Sequence, residues 1–276
     1  MKIVEQKVTE IKQKPSWQGV YEMIDLCAGI CYGRKELTKD SKTFVERMIG
    51  LNHTRTLEFG TVYLKFELKK YRSYQESLLL SNENYVKVNQ VGQTLYVTTN
   101  YRFLFENDLL DFAKKHFCEE PSEFHYKRKC FHIVASRVII DECRTHSTIS
   151  GLVESTRWIN YSKDKFGNEL TYIKPYWANE RPAAYEHLLK KYAEDEKDYF
   201  VLLGLGCKPQ EARDALPLGV KSETYMCGFY NLPDKYKNTR SGWDMFIFRR
   251  LSRDAHEDIQ WIAKQIDNNI KDEEEK

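Results

Sequence analysis

Apolar residues recur at helical spacing over 254–270, at Ile259, Ile262, Ala263, Ile266 and Ile270, which predicts an amphipathic closing helix. The charged run 271–276 beyond it reads as a solvated, frayed tail. Residues 59–68 alternate instead, with Val62, Leu64, Phe66 and Leu68 on one side, so a strand is expected there. Residues 84–99 carry two short alternating runs around Gly92 and predict a hairpin. A helix is expected over 41–51, capped by Asp40 or Ser41. Another is expected from about Arg102 to His116, with Leu104, Leu109, Leu110 and Phe112 as its apolar positions. The span 130–146 reads as either strand or helix.

The second half is more helical. One long helix covers 183–203 and a short one 209–215, where Pro209 suits a first turn and Pro217 ends it. A strand follows near 219–228. The class is mixed α+β. With no repeat or Gly/Ser/Pro-rich linker, a single domain over 1–276 is expected, its core at about 40–268.

Composition narrows the classes. The chain has 276 residues, 41% hydrophobic and 30% charged, with a net charge of +2, so its charge points to neither polymeric nucleic acid nor a membrane surface. No apolar leader or spanning run is present, and a cytoplasmic location is expected. The seven cysteines include no Cys-x-x-Cys pair and read as reduced thiols. His116, Cys118, His125, Cys130 and His132 match no common zinc spacing, so no metal is expected. The Lys69-Lys70-Tyr71-Arg72 patch is the only hint of RNA binding, and a basic strand end is the simpler reading.

Residues 154–162, Glu-Ser-Thr-Arg-Trp-Ile-Asn-Tyr-Ser, carry the densest chemistry. Read as an extended strand, they put Ser155 and Arg157 on one face, about 7 Å apart at ~3.3 Å per residue. A hydroxyl and a guanidinium so placed would grip a phosphate or carboxylate. A half-exposed strand with a surface Arg is the plainer alternative. Three further clusters stand out: His53 to Glu58; Glu142, Arg144 and His146 before Ser155; and an Arg249–Arg250 pair closing an apolar stretch. No Gly-rich phosphate loop, Gly-x-Ser-x-Gly elbow or His-Glu-x-x-His motif is present.

In this order the clusters resemble the flavin-dependent thymidylate synthases (the ThyX family) over roughly 40–260. His53…Glu58-Phe59-Gly60 resembles the family's His-x4-Glu-His segment. Residues 154–172 resemble its substrate loop, whose signature ends Ser-x-Arg-Tyr. Pro209-Gln210-Glu211-Ala212-Arg213-x-x-Leu216-Pro217, then Lys221-Ser222-Glu223, is a third match; Trp243-x-x-Phe246-x-x-x-Arg250 is a weaker fourth.

The resemblance implies C5 methylation of dUMP with methylenetetrahydrofolate, FAD and NADPH, in a homotetramer whose sites are shared between subunits. It implies that Glu142, Glu154, Ser155, Thr156 and Arg157 bind the nucleotide, with Arg213 reaching the phosphate from a neighbouring subunit. Arg250 would contact and polarise the pyrimidine, and Arg250 and Ser155 would be the catalytic pair. His53, Glu58, Arg144 and His146 match positions near the flavin. The family's Arg-His-Arg flavin signature is Thr145-His146-Ser147 here, with Arg144 one residue early. A polar cofactor stretch is replaced by Cys227-Gly228-Phe229-Tyr230-Asn231, followed by an apparent insertion over 233–242. These departures open two alternatives: a pyrimidine-nucleotide C5 hydroxymethyltransferase with altered or lost flavin use, and a non-catalytic nucleotide-binding relative.

Overall fold

The computed structural model describes residues 1–68, 73–81, 85–163, 167–232 and 242–274. The 69–72 basic patch, part of the 154–172 segment (164–166) and 233–241 of the insertion lie outside the described residues.

In chain order the strands are β1 (Lys2–Val4), β2 (Lys7–Ile11), β3 (Thr61–Glu67), β4 (Lys87–Val91), β5 (Thr94–Asn100), β6 (Phe117–Cys118), β7 (Arg128–Ser136), β8 (Ser150–Val153), β9 (Thr171–Ile173) and β10 (Lys221–Phe229). The helices are α1 (Trp17–Gly29), α2 (Ser41–Gly50), α3 (Tyr74–Ser81), α4 (Tyr101–Glu106), α5 (Leu110–His116), α6 (Arg137–Cys143), α7 (Pro182–Gly204), α8 (Pro209–Ala212), α9 (Gly242–Arg250) and α10 (Glu257–Glu274). One antiparallel sheet runs β2-β7-β10-β8 and a second β4-β5-β3-β6; β1 pairs in parallel with β9. The class is mixed α+β, as the patterning predicts.

Helix α1 sits between the sheets. Val20, Tyr21 and Ile24 join the core against the β4-β5-β3-β6 sheet, while Met23, Cys27 and Ala28 pack on Cys130, Tyr225 and Cys227 of the other. Gly60 allows this approach, because a Cβ there would come within 2.7 Å of Val20 Cγ1 and 2.8 Å of Ile24 Cδ1. The opposite face of the β7–β10 sheet is covered by α6, α9 and α10. Ile259, Ile262, Ala263, Ile266 and Ile270 are all buried there, each isoleucine contributing roughly 1.5–3 kcal/mol of burial.

Three expectations are corrected. The 102–116 helix is two, α4 and α5, because Asp108 has φ 56°, which no helix interior accepts. The closing helix starts later, at Glu257, and continues through Glu274, so residues 271–274 are helical rather than frayed, while 275–276 lie outside the described residues. Residues 154–162 are not a strand. Pairing of β8 to β10 ends at Val153–Thr224, and the chain then turns, with Trp158 N and Ile159 N both donating to Ser155 O at 3.1 Å. The alternation that put Ser155 and Arg157 on one face therefore does not hold. The ambiguous 130–146 span resolves as strand β7 followed by helix α6.

Candidate functional site

On β10 the side chains of Lys221, Glu223 and Tyr225 share one face, and the register sets His132 and Val134 of β7 beside them. Lys221, Glu223, Tyr225 and Val134 floor a cleft of about 1090 Å³. Glu154, Tyr161, Gly167, Glu169 and Thr171 of the 154–172 segment wall one side, and Arg34, Lys35 and Glu36 another. Glu223 accepts from His132 Nε2 at 2.8 Å, from Lys35 Nζ at 3.0 Å and from Lys221 Nζ at 2.5 Å. Burial alone would raise its carboxyl, but the His132 hydrogen bond and the Lys221 and Lys35 ammoniums hold it far below the usual carboxylate range. Lys221 also faces Glu154 at 3.4 Å; although burial disfavours its charge, the two carboxylates hold it above its ordinary value.

Glu154 is 5% exposed. Burial pushes its carboxyl up and the Glu223 charge adds to this, while Lys221 opposes both. Its backbone bonds to the sheet at Glu223 O (2.8 Å), which fixes the side chain at the cleft wall. Lys35 reaches Glu223 because its loop is anchored by Asp25, a fully buried α1 residue. That carboxylate accepts from Arg34, from Thr38 N (2.9 Å) and Oγ1 (2.6 Å), and from Ser41 Oγ (2.8 Å).

A second cluster gathers four residues from the matching segments. Arg250, ending α9, donates Nε–H to His146 Nε2 (2.9 Å), Nη1–H to Glu142 Oε2 (3.0 Å), and Nη2–H to Glu142 O and Thr145 Oγ1 (both 3.0 Å). These bonds close the C-terminal end of α6. Burial first, then the Arg250 and Arg249 charges, pull His146 down to about 4, so its ring is neutral.

Beside this cluster, Arg55, Arg137, Arg144 and Thr145 line a cleft of about 530 Å³ with Ile149, Gly151 and Met226. Asp141 accepts from Arg137 and Arg144 at 3.4 and 3.3 Å. The Arg55 guanidinium is exposed and makes no hydrogen bond or ion pair among the described residues. Three guanidiniums against one carboxylate suit the phosphates of a dinucleotide, so these residues fit the anionic half of a flavin cofactor. Thr145 and His146, by contrast, are already committed to Arg250.

The other expected residues are spread more widely. Arg157 is exposed, stacks 5.0 Å over the Trp158 ring and donates Nε–H to Gln210 Oε1 at 3.2 Å. Gln210 ties it to the α8 segment that also carries Arg213, an exposed guanidinium without a hydrogen bond or ion pair among the described residues. Ser155 and Thr156 are half-buried in the turn. Glu58 pairs with Arg102 at 2.6 Å, and His53 caps the turn over Thr54–Phe59. No hydrogen bond or ion pair among the described residues joins His53 or Glu58 to His146.

Sequence reading assigned no role to His132, Lys35, Lys221 or Glu223. The available signal was the charged pair Lys221 and Glu223, two apart on an otherwise buried strand. His132 and Lys35 join it only through sheet register and a loop anchor.

Among the described residues no helix is long and apolar enough to cross a membrane. No curated protein matches the chain. A solved structure of the UMP/dUMP methylase PolB from Streptomyces cacaoi, bound with 5-Br UMP, aligns over 97% of this chain and 90% of its own, at 11% identity and a TM-score of 0.44. The same methylase bound with 5-Br dUMP aligns over 98% and 91%, at 11% identity and a TM-score of 0.43. Residues 73–273 match the thymidylate synthase complementing protein family, a span that includes the cleft's β10 floor, the 154–172 wall and the Arg250 cluster. The chain belongs to that family.

Proposed function

We propose that this chain methylates C5 of dUMP, taking the one-carbon unit from methylenetetrahydrofolate. The reading rests on one observation above all. Two separately matching segments, 154–172 and 221–223, line the same large cleft. Its mixed charge suits a ligand with a neutral heterocycle and an anionic end.

In this reading Glu142, Glu154, Ser155, Thr156 and Arg157 hold the nucleotide, and Arg213 of a neighbouring copy reaches the phosphate. The exposure of Arg157 and Arg213 supports a site completed by assembly; the family resemblance makes that assembly a homotetramer, and a cytoplasmic location goes with this reading. Arg250 contacts the pyrimidine. Among the described residues one of its five N–H groups remains undonated. A cation at the base oxygens stabilises charge as C5 becomes nucleophilic. Arg55, Arg137 and Arg144 would hold the phosphates of FAD, with His53, Glu58 and His146 near its ring; reduced by NADPH, the flavin would supply the hydride.

A second reading keeps the nucleotide cleft but transfers a hydroxymethyl group, with altered or absent flavin use. The commitment of Thr145 and His146 to Arg250, at the place of the family's flavin signature, favours it. Absorbance titration separates the two. Stoichiometric flavin, reducible by NADPH in the presence of dUMP, supports methylation. Saturable dUMP binding without flavin binding supports the second reading, and absence of both contradicts each.

A further inference from the structure

Another cleft, of about 560 Å³, lies between the turn Tyr176–Ala178, the loop joining α9 to α10 and the first turns of α10. Among the described residues it shares no lining group with the cleft over β10 or with the arginine-lined cleft. None of its residues has a part in the reaction proposed above.

The apolar stripe of α10 leaves an unusual outward side. Ile259, Ile262, Ala263 and Ile266 are buried in the core, while Trp261 and Lys264, three apart, share the side that lines this cleft. Trp261 is 38% exposed and Tyr176 40%, although an indole is ordinarily a largely buried group. The Tyr176 ring meets the His256 ring edge-on at 5.4 Å. The loop beneath is pinned, because Gln260 Nε2 donates to Ser252 O at 3.0 Å and to Ala255 O at 2.8 Å. The aromatic surface is therefore carried on an ordered frame.

The polar groups here are mostly donors in want of an acceptor. His256 Nδ1 accepts from Asp258 N at 3.2 Å, so the ring hydrogen sits on Nε2, which has no partner among the described residues. Arg253 and Lys264 are exposed and make no hydrogen bond or ion pair among the described residues. Glu257 is the carboxylate of the lining, and that of Asp258 is buried on the Nδ1 side of the imidazole, 3.8 Å away. Two rings beside unpaired N–H donors suit a planar ligand that carries an anion: a base stacks on the aromatic surface and a phosphate takes the cations. A polyanion fits less well, since the whole chain carries a net charge of only +2.

We infer that this cleft is a separate binding site for a mononucleotide, with the base against Trp261 and Tyr176 and the phosphate on Arg253, Lys264 and His256 Nε2–H. The inference is independent of the reading given to the cleft over β10.

The experiment is a fluorescence titration of the full-length protein with AMP, adenosine and inorganic phosphate, because Trp261 itself reports occupancy. AMP is the probe, since a purine offers a broad stacking face. Saturable quenching by AMP is expected, and Trp261→Phe is expected to abolish it. The double variant Arg253→Ala, Lys264→Ala is expected to weaken AMP at least about tenfold, through loss of charge-assisted bonds. Adenosine and phosphate are each expected to bind at least about tenfold more weakly than AMP, as each supplies half of the contacts. The substituted positions are exposed, and an unchanged thermal midpoint confirms that the variants fold. No quenching by AMP overturns the inference. Quenching that persists in full in Trp261→Phe, or an AMP affinity untouched by the double variant, also overturns it, since the nucleotide then sits elsewhere. Phosphate binding as tightly as AMP would mark a simple anion site and overturn it too.

Discussion

Arg250 donates its Nε–H to His146 Nε2 across 2.9 Å, joining the end of α9 to the segment that follows α6, 104 residues earlier in the chain. The bond requires a neutral imidazole with its proton on Nδ1. A protonated ring would set a cation against Arg250 and lose its acceptor.

Stability should therefore depend on pH through His146. Its folded pKa, about 4, lies below the ~6.5 of an unfolded histidine. Between these values the unfolded state binds more protons, so stability is full above about pH 6.5 and is lost as pH falls toward 4. The loss is on the order of 2–3 kcal/mol. Urea denaturation at pH 7.5, 6 and 5 measures it, and His146→Gln should flatten the slope in that window. An unchanged slope in the variant would contradict the assignment.

Arg250→Ala should cost roughly 1–3 kcal/mol, because Glu142, Thr145 and the α6 end lose their donors together. Arg250→Lys should recover little of this, since a single ammonium cannot span the four acceptors of the guanidinium fork. Denaturant midpoints read the stability. Turnover should collapse in both variants, and unchanged turnover in Arg250→Ala would contradict its place over the pyrimidine.

Asp25→Ala should destabilise the chain by roughly 2–4 kcal/mol, since it strands Arg34 and three hydroxyl or amide donors around a fully buried position. Lys35→Ala, at an exposed ammonium, should change stability by less than about 1 kcal/mol. A thermal unfolding series distinguishes them. A Lys35 variant as damaging as the Asp25 variant would show that the loop is held by Lys35 rather than by Asp25.

Glu223→Gln should remove part of the acid sensitivity of folding. A carboxyl held low in the folded chain stabilises it above the unfolded value of ~4.3, and that contribution is lost as pH falls below it. The variant should start less stable at pH 7 and lose less between pH 5 and 3. A wild-type acid profile in the variant would mean that Glu223 is not the charged centre of the network.

Local signals were legible because they depend on few residues. The Asp40 cap, the Gly92 turn and the isoleucine stripe of α10 each follow from neighbours within two turns. Helix α1 is not legible in the pattern because it is buried on two sides, so its apolar residues show no clean contrast between faces. The turn after Val153 patterns as strand because only the length of the β8–β10 pairing decides where extension stops. The chain order of Glu142, His146 and Arg250 resembled the family, but their mutual bonding is a tertiary fact. The Glu154–Lys221–Glu223–His132 array needs the register of β7, β8 and β10 at once, and no spacing along the chain reveals it.

Release of hydrogen from C5 of the nucleotide tests the central claim most directly. The protein is incubated with C5-tritiated dUMP, methylenetetrahydrofolate, FAD and NADPH, and solvent tritium is counted alongside the nucleotide product. Tritium release that depends on the folate, matched by formation of a C5-substituted nucleotide, is the predicted result. Saturable dUMP binding with no release under any combination of folate and flavin would contradict it and leave a nucleotide-binding protein on this fold.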